Sequence, residues 1–442
     1  MSGTWTTLRH YGLTRFGRRW GSREALLQWQ ERRVQNHVSR MLKASPYYRR
    51  LAVTLTADRW RELPIMDKTV MMDNFDALNT VGIGKAQALE VALAAEQSRD
   101  FSPMIGGVTV GLSSGTSGNR GIFLVSAEER HAWTGTVLAK VLPGELWERQ
   151  RIAFFLRANS NLYGSVQRRR LQFRFFDLLD PLESHLKRLN EYQPTLVVAP
   201  PSMLRFLAES IREGDLNIHP RKIVSVAEAL DPLDERVICE AFGQKVHQIY
   251  QCTEGFLGFT CPEGTLHLNE DLVYFEKEYL DETRRKFVPV ITDFSRTAQP
   301  MLRYRLNDIL TEREQPCSCG SVLTALESIE GRCDDLFYWR SLHDQGLRAV
   351  FPDFIRRAII TASPLIDAYT AIQFAPDTVQ VALRLRNGVD SETGEMCKRE
   401  VERAIAALCG ELRCVVPTLH FAGYDRLPSD KKLRRVERRF TP

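Results

Sequence analysis

The spacing of apolar residues predicts helices in some segments of the chain and strands in others. Between residues 26 and 42 the apolar positions recur on one helical face, with Arg and Glu elsewhere, which predicts an amphipathic helix. Ser45 and Pro46 are expected to end this helix. The face that should be buried consists of Leu27, Val34, Val38 and Met41.

Short apolar runs without the helical period predict buried strands. These runs are IAFFL from Ile152, TLVVA from Thr195, KIVSVA from Lys222 and KVHQIY from Lys245. A helical pattern, PSMLRFLAESIREG from Pro201, lies between two of them. Strands that alternate with helices predict an α/β fold with mixed or largely parallel sheets.

Near residue 330 the pattern changes to that of a smaller unit. VQVALRLR from Val379 alternates as a half-exposed strand does, and CVVPTLHF from Cys414 predicts another strand. Between them a helix is predicted, with its apolar face formed by Val401, Ile405, Leu408 and Leu412. We therefore expect a large N-terminal domain, residues 1–331, and a small α+β domain, residues 332–442.

The composition is that of a water-soluble globular protein. The chain has 442 residues, of which 43% are hydrophobic and 26% charged. No apolar run is long enough to span a membrane, and the N-terminal residues lack the apolar core of an export signal. With nine cysteines, we expect reduced thiols and a cytoplasmic location. The net charge of +5 argues only weakly for a nucleic-acid partner.

Residues 113–121 read SSGTSGNRG, a stretch rich in glycine and hydroxyl groups. Apolar runs that end at Leu112 and begin at Ile122 predict a strand on each side. Glycines allow close approach of the backbone to a ligand, and successive N–H groups bind anions. The expected guest is a polyphosphate, and the alternative is a flexible linker. The Walker pattern and the GxGxxG dinucleotide fingerprint are both absent.

Further motifs follow this loop in order: KIVSVAEAL, YQCTEG, PMLRYRLND, GRCDD and LPSDKKLRR. SPYYRRL and LPIMDK precede it, and AVFPDFI follows GRCDD. The series resembles the adenylate-forming superfamily of acyl-CoA synthetases, peptide-synthetase adenylation domains and luciferases. More narrowly, it is similar to the phenylacetate–CoA ligase branch and to its relative that adenylylates a deazaflavin coenzyme.

The resemblance implies a reaction in two halves that uses ATP and Mg²⁺. A carboxylate attacks the α-phosphate of ATP to give an acyl-adenylate and pyrophosphate. A second nucleophile, with the thiol of CoA as the leading candidate, then displaces AMP. The small C-terminal domain is expected to rotate between the two halves, and the branch is compatible with a homodimer.

The resemblance also assigns roles to residues of the loop and of YQCTEG. Tyr250 would stack on adenine, Thr253 would bind the α-phosphate, and Glu254 would ligate Mg²⁺, a cation that prefers carboxylate oxygen. Gln251 stands where many relatives have glycine, which is expected to reshape the acyl pocket. The residues expected to hold the β- and γ-phosphates are Ser113, Ser114, Gly115, Thr116, Ser117 and Gly118.

Later motifs supply the remaining nucleotide contacts that the resemblance implies. Glu228 lies in a segment whose backbone contacts adenine in relatives, although a surface glutamate would fit the pattern equally. Asp308 would accept hydrogen bonds from both ribose hydroxyls, but the usual TGD is LND here. Arg332 would approach the ribose or the phosphates. Asp334 would be the hinge.

Lys431 is the residue that the resemblance assigns to catalysis. In relatives a lysine stands three residues before an Arg–Arg pair, which selects Lys431 rather than Lys432. Its ammonium would stabilise the charge that develops between the carboxylate and the α-phosphate. Asp430 occupies the position of the usual glycine, and an acidic neighbour could hold the ammonium back.

The cysteines suggest a second metal. Cys317 and Cys319 form a CxC pair, and Cys261 and His267 lie in CPEGTLH. Three thiolates and an imidazole suffice for tetrahedral Zn²⁺, and the phenylacetate–CoA ligase branch carries Cys and His at similar positions. Four unrelated loop residues are the alternative, and Cys333 is an alternative ligand.

Other functions remain open at this point. Adenylation could be followed by transfer to a carrier protein or an amine, or the substrate could be a phenol. A degenerate, non-catalytic nucleotide-binding protein would fit the departures at Asn307 and Asp430. Residues 157–176 are expected to help line the pocket for an aryl or acyl acid, whose identity the sequence does not give.

Overall fold

In this computed structural model of the chain, residues 3–53, 55–113, 120–156, 170–344, 346–425 and 433–442 are described. The chain divides into two compact units. The first comprises Met1–Ala227, Cys239–Leu306 and Leu310–Ser328, and the second comprises Glu228–Ile238, Asn307–Ile309 and Ile329–Pro442. The functional boundary at residue 331 stays a prediction.

Helices α1 to α10 occupy the first half of the chain. They are α1 Gly3–Gly12, α2 Arg23–Ala44, α3 Pro46–Leu51, α4 Lys68–Asp73, α5 Phe75–Leu78, α6 Lys85–Ser98, α7 Ala127–Val141, α8 Leu182–Tyr192, α9 Pro201–Glu213 and α10 Pro232–Phe242. Among the described residues, no helix is both long and apolar enough to cross a membrane.

Helix α2 is the amphipathic helix that the sequence predicts. It ends at Ala44, and its C-cap residue Ser45 also caps α3, because the Ser45 side chain accepts a hydrogen bond from the Tyr48 N–H. Val34, Val38 and Met41 are buried as predicted, but Leu27 is 43% exposed and Leu26 is fully buried. The prediction for Leu27 was wrong because neighbouring helical residues point about 100° apart, and the stripe at four-residue spacing from Val34 passes through Leu26.

Two sheets belong mainly to the first unit. Strands β1 Met104–Ile105, β2 Val108–Leu112 and β3 Ile122–Val125 form an antiparallel sheet. The large sheet contains β4 Gln150–Leu156, β5 Leu171–Asp177, β6 Leu196–Ala199, β7 Lys222–Val226, β8 Val246–Cys252, β9 Gly255–Thr260, β10 Leu266–Leu268, β11 Val273–Tyr279, β12 Lys286–Asp293, β13 Tyr304–Arg305, β14 Asp308–Glu312 and β15 Ala325–Arg332. Its order is β11-β12-β14-β15-β10-β9-β8-β7-β6-β4-β5, with β13 on β12.

The large sheet has a parallel part and an antiparallel part. Strands β5, β4, β6, β7 and β8 are parallel neighbours, and the four apolar runs predicted as strands all lie there. From β8 to β9 and β10 the pairing becomes antiparallel. Ligands of such sheets bind outside the carboxyl ends of the parallel strands, so the segments after β7 and β8 are the first place to look for a site.

The second unit has its own sheet and core. A hairpin of β16 Phe337–Arg340 and β17 Leu347–Val350 precedes a sheet of β18 Ile366–Ala375, β19 Thr378–Leu385, β20 Thr418–Gly423 and β21 Val436–Arg438, in the order β20-β19-β18-β21. Helices α11 Pro352–Ala362 and α12 Ser391–Glu411 accompany it. Val401, Ile405 and Leu408 are buried in its core, and the predicted Leu412 packs against it.

The strand predicted from Cys414 begins later than expected. Strand β20 starts at Thr418, and the preceding valines, Val415 and Val416, are 41% and 50% exposed. Pro417 stands between them and the strand. A proline has no N–H for the strand ladder, which confines it to the start of a strand, so the apolar run before it does not extend β20.

Candidate active site

A two-residue turn joins β8 to β9 at the carboxyl end of the parallel half of the sheet. The turn is Thr253–Glu254, and the Thr253 hydroxyl donates to Glu254 Oε2 at 2.9 Å. The ladder shifts register between Tyr250 and Gln251. Such irregularities re-aim side chains at the end of a strand and are common beside active sites. The turn therefore presents a hydroxyl and a carboxylate where ligands of α/β sheets bind.

Tyr304 holds the second oxygen of the Glu254 carboxylate. Its hydroxyl donates to Glu254 Oε1 at 3.2 Å, and the residue is 3% exposed. Burial, and then the charge of Glu254, raise the pKa of Tyr304, so the phenol stays protonated and able to donate. Sequence reasoning missed this residue, and its place inside PMLRYRLND was the only signal for it.

The buried carboxyl group of Asp293 lies next to Gly255, the residue that follows the turn. A Cβ atom at Gly255 would come within 2.8 Å of Asp293 Oδ2, so this close approach requires glycine. Asp293 is 2% exposed. Burial raises its pKa to about 6, although Ser295 donates to Oδ1 and opposes the shift. No motif in the sequence pointed to this group.

Tyr250 is buried rather than open to solvent in this structure. It lies on β8 at 6% exposure. On the neighbouring strand, a Cβ at Gly258 would lie 3.4 Å from Tyr250 Cβ and 2.9 Å from the His267 carbonyl oxygen. The absence of a side chain at Gly258 thus makes room for the tyrosine. Stacking of Tyr250 on adenine stays a prediction.

Ser113 connects the two ends of the glycine-rich loop, a position called the loop neck below. Its N–H donates to the Gly121 carbonyl at 2.7 Å, and its Oγ accepts from the Gly121 N–H at 2.8 Å. Arg120 is paired with Glu96, so its charge is compensated. Strands β2 and β3 flank the loop as predicted. The remaining expected phosphate ligands, Ser114, Gly115, Thr116, Ser117 and Gly118, lie outside the described residues.

The second unit brings Asp308, Arg332 and Asp334 together. Arg332 Nε lies 4.0 Å from Asp308 Oδ1, and Asn307 Nδ2 donates to Asp334 Oδ2 at 2.6 Å. The Cys333 N–H donates to the Asn307 carbonyl at 2.8 Å. The asparagine that replaces the usual glycine therefore ties the expected ribose-binding turn to the expected hinge.

Glu228 follows the carboxyl end of β7. The preceding Ala227 has φ of 70°, a left-handed conformation that is strained for a residue with a side chain. Glu228 Oε1 accepts a hydrogen bond from the Leu433 N–H at 3.4 Å. Leu433 follows the catalytic lysine expected from the sequence, and Lys431 itself lies outside the described residues.

Two arginines of PMLRYRLND serve structural ion pairs. Arg303 Nε and Nη2 each lie 2.9 Å from a different oxygen of Glu276, and Arg305 Nε lies 2.6 Å from Glu278 Oε2. Both glutamates are on β11. The motif therefore contributes two ion pairs with strand β11 at the edge of the sheet, in addition to the Tyr304 hydroxyl.

The four expected zinc ligands form one cluster in the first unit. The ligand atoms of Cys261, His267, Cys317 and Cys319 all lie within 4.8 Å of one another. The sulfurs of Cys261 and Cys317 are 3.8 Å apart, and Cys319 Sγ is 3.4 Å from His267 Nε2. A tetrahedron with ordinary zinc bond lengths has edges of about 3.8 Å between sulfurs and about 3.5 Å between sulfur and nitrogen.

The surroundings of the cluster also suit a metal. His267 Nδ1 lies 3.0 Å from the Leu323 carbonyl, which directs Nε2 towards the thiols as an outer-shell partner of a metal-bound histidine does. Burial opposes ionisation of Cys317, but a hydrogen bond from Thr265 and others from its neighbours lower its pKa. Burial and the neighbouring thiols raise the pKa of Cys319. A cation would be needed to hold several thiolates here.

The structure thus places the predicted residues in separate groups. The first unit holds the Tyr250–Glu254 segment, the loop neck at Ser113 and the cysteine–histidine cluster. The second unit holds Glu228 and the group of Asp308, Arg332 and Asp334. Of the segment 157–176 expected near the acid pocket, Phe173 packs with Phe154 in a core cluster of the first unit, and residues 157–169 lie outside the described part of the chain.

No family model matches the chain. It is 26% identical over 132 residues to indoleacetate–lysine synthetase of Pseudomonas savastanoi, covering 29% of this chain and 32% of that protein. It is 22% identical over 205 residues to phenylacetate–coenzyme A ligase of Thermus thermophilus, covering 43% and 44%. Protein CapK of Staphylococcus aureus is 25% identical over 214 residues, covering 48% and 43%. The chain matches less than half the length of each of these relatives.

Solved structures share the fold over most of the chain. 2-Hydroxyisobutyryl-CoA ligase in complex with 2-HIB-AMP has a TM-score of 0.69 and 18% identity, covering 93% of this chain and 89% of the ligase. An acyl acid amido synthetase has a TM-score of 0.57 and 14% identity, covering 89% and 85%. The amide bond synthetase McbA from Marinactinospora thermotolerans has 0.53 and 16%, covering 74% and 67%. The predicted α/β fold class is confirmed, and the fold of this chain is that of the adenylate-forming ligases.

Proposed function

We propose that the protein is an ATP-dependent, AMP-forming ligase that activates an aryl or acyl carboxylate as its adenylate. The observation that carries this proposal is the Thr253–Glu254 turn. It presents a carboxylate, both of whose oxygens accept from hydroxyl groups, at the carboxyl edge of a sheet. The fold around it is shared with a ligase solved in complex with an acyl-adenylate, 2-HIB-AMP.

The chemistry needs positioning and charge stabilisation more than a covalent nucleophile on the protein. A substrate carboxylate oxygen bonds to the α-phosphorus while the bond from that phosphorus to the pyrophosphate oxygen breaks. In our proposal the Thr253 hydroxyl donates to the α-phosphate in place of Glu254 when ATP is bound. Glu254 would then ligate Mg²⁺, which would compensate the phosphate charge. Asp308 accepts from the ribose hydroxyls, and the loop that begins at Ser113 holds the leaving phosphates.

Two acceptors are supported for the second half-reaction. CoA is the acceptor that we propose first, since relatives of this fold include CoA ligases by name. An amine is the second candidate, because other relatives are named as a lysine synthetase and as amide synthetases. Transfer to a carrier protein stays a prediction, as does a homodimer.

Pyrophosphate release tests the proposed function directly. We expect release from ATP and Mg²⁺ that depends on one class of acid in a panel of aryl and fatty acids. A thioester should form when CoA is added, or an amide when the acceptor is an amine such as lysine. If none of the acids supports pyrophosphate release although ATP binds measurably, carboxylate activation is contradicted. That outcome would favour a phenol substrate or the non-catalytic alternative.

We further propose that Cys261, His267, Cys317 and Cys319 hold a structural zinc ion. The distances from Cys261 Sγ to Cys317 Sγ and from Cys319 Sγ to His267 Nε2 match the edges of a tetrahedral site, and the set does not require Cys333. All nine cysteines are free thiols in the structure, in keeping with the reducing, cytoplasmic location that we propose. The ion would link the β9–β10 segment to the CxC loop.

Replacing Cys319 with serine is expected to remove the zinc. We expect about one zinc per purified wild-type chain and less than half of that in the variant, because a four-ligand structural site needs all four donors. The midpoint temperature of thermal unfolding of the variant should also fall by about 5 °C or more, since metal binding contributes directly to folding. Metal analysis and thermal unfolding measure both effects. Cys333→Ser is the matched control, and a wild-type protein without zinc would contradict the proposal.

A further inference from the structure

Arg303 contacts three separate parts of the first unit. Its Nε and Nη2 atoms each lie 2.9 Å from a different oxygen of Glu276 on β11. Its Nη1 atom donates to the Leu63 carbonyl at 2.7 Å and also to the Arg61 carbonyl. The Arg303 N–H donates to Thr292 Oγ1 on β12 at 3.1 Å. The guanidinium therefore joins β11 to the segment before α4, through a fork of directed bonds that the single ammonium of a lysine does not reproduce.

The backbone of Arg303 is strained. Its φ is 47°, in the left-handed region that residues with a side chain rarely adopt. Such a conformation persists only where surrounding contacts hold it, and it is common at functional sites. The contacts of Arg303 provide this restraint, because they fix both its side chain and its N–H. Tyr304 follows directly, so the direction of the tyrosine side chain depends on this conformation.

Tyr304 is itself held between two backbone segments. It pairs with Ile291 of β12, and on its other side it forms a parallel bridge with Met66. The Met66 N–H donates to the Arg303 carbonyl at 2.9 Å, and the Arg305 N–H donates to the Met66 carbonyl at 2.7 Å. Met66 is 2% exposed and Tyr304 3%. The tyrosine hydroxyl therefore has little freedom of direction.

The Tyr304 hydroxyl gains importance when ATP is bound. In the structure, Glu254 accepts hydrogen bonds from Thr253 and from Tyr304. In the proposed function the Thr253 hydroxyl turns to the α-phosphate, which leaves Tyr304 as the donor to Glu254 among the described residues. Hydrogen bonds to a metal-binding carboxylate orient it, and their loss weakens metal binding. The direction of Tyr304 therefore affects how well Glu254 can ligate Mg²⁺.

We propose that Arg303 is a positioning residue that aims the Tyr304 hydroxyl at Glu254 and so sets the affinity for Mg²⁺. This inference rests on the proposed function and deepens it. In this role Arg303 acts through Tyr304. Its replacement should raise the Mg²⁺ requirement, whereas the loss of a merely structural ion pair would lower stability and leave that requirement unchanged.

Arg303→Lys keeps the charge and removes the forked contacts. We expect the Mg²⁺ concentration that gives half-maximal ATP binding to rise by about 10-fold, as for changes to the outer-shell partners of a metal ligand. Equilibrium binding of ATP at a series of Mg²⁺ concentrations measures this without catalysis. Acid-dependent pyrophosphate release should show the same shift, with a smaller change at saturating Mg²⁺.

Arg305→Lys is the matched control. Arg305 also pairs with a glutamate of β11, with its Nε 2.6 Å from Glu278 Oε2, but its backbone is not left-handed. This variant should keep the wild-type Mg²⁺ dependence of ATP binding. Glu276→Gln replaces Arg303→Lys if the latter does not fold. It keeps the shape of the partner side chain and should raise the Mg²⁺ requirement in the same direction.

Tyr304→Phe shows whether Arg303 acts through the hydroxyl. Removing that hydroxyl should raise the Mg²⁺ requirement by a similar factor. Arg303→Lys should then add little in the double variant, because two changes that act through one contact are not additive. Fully additive shifts would overturn the positioning role, as would a wild-type Mg²⁺ requirement in Arg303→Lys or Tyr304→Phe, while the proposed function stands. If the wild-type protein binds ATP without Mg²⁺ dependence and releases no pyrophosphate with any acid, the proposed function and this role are both overturned.

Discussion

Replacing Lys431 with alanine is expected to abolish adenylate formation while ATP binding survives. The ammonium is needed where charge develops between the attacking carboxylate and the α-phosphate. Removing one such preorganised group costs about 100- to 1000-fold in rate. Binding of the nucleotide should persist, because the base, the ribose and the outer phosphates are assigned to other residues. Acid-dependent pyrophosphate release and equilibrium binding of ATP measure the two effects separately.

Lys432→Ala is the control for this prediction. It removes the same charge one position further along the chain, so a simple loss of positive potential would affect both variants alike. Lys432→Ala should retain most of the activity. Undiminished pyrophosphate release by Lys431→Ala would contradict the assignment, and equal losses in the two variants would point to long-range electrostatics.

Glu254→Gln is expected to have the second largest effect. The glutamine keeps the size of the side chain and one oxygen to accept from Tyr304 or Thr253, so the turn should persist. Losing the negative charge removes the ligand that a hard cation prefers. Because even outer-shell changes weaken metal binding by about 10- to 100-fold, we expect at least about a tenfold higher Mg²⁺ requirement and a large fall in maximal rate. Pyrophosphate release measured against Mg²⁺ concentration tests this.

Glu278→Gln is the matched control for the magnesium prediction. Glu278 is also a glutamate at a sheet edge, but it pairs with Arg305 and has no proposed role in the reaction. Its Mg²⁺ dependence should equal that of wild type. If Glu254→Gln also kept a wild-type dependence, Glu254 would be a solvated residue at the end of a hairpin.

Local sequence patterns predicted most of the elements that support the site. The apolar runs in β4, β6, β7 and β8 are strands, and alternation with helices predicted their parallel arrangement. Such features depend on a few neighbouring residues and on the periods of helix and strand. Residue types alone identified four candidate zinc ligands in two short segments, CPEGTLH and PCSCG. Their meeting within one cluster depends on the pairing of β10 with β9 and β15.

The contacts that orient the candidate catalytic groups were not predictable in this way. Tyr304 reaches Glu254 across 50 residues, Asn307 reaches Asp334 across 27, and Arg303 reaches Glu276 across 27.

The order of the motifs, the types of most elements and the identity of the reactive groups can be inferred from the amino-acid sequence. These follow from residue chemistry and from spacing along the chain. Three contacts are visible only in the folded chain: the hydroxyls that donate to Glu254, the contact of Asn307 with the expected hinge, and the ion pairs of Arg435 with two aspartates. Each of these depends on strand order, on side-chain direction and on burial, because a polar group withdrawn from water must find its partner wherever the fold provides one.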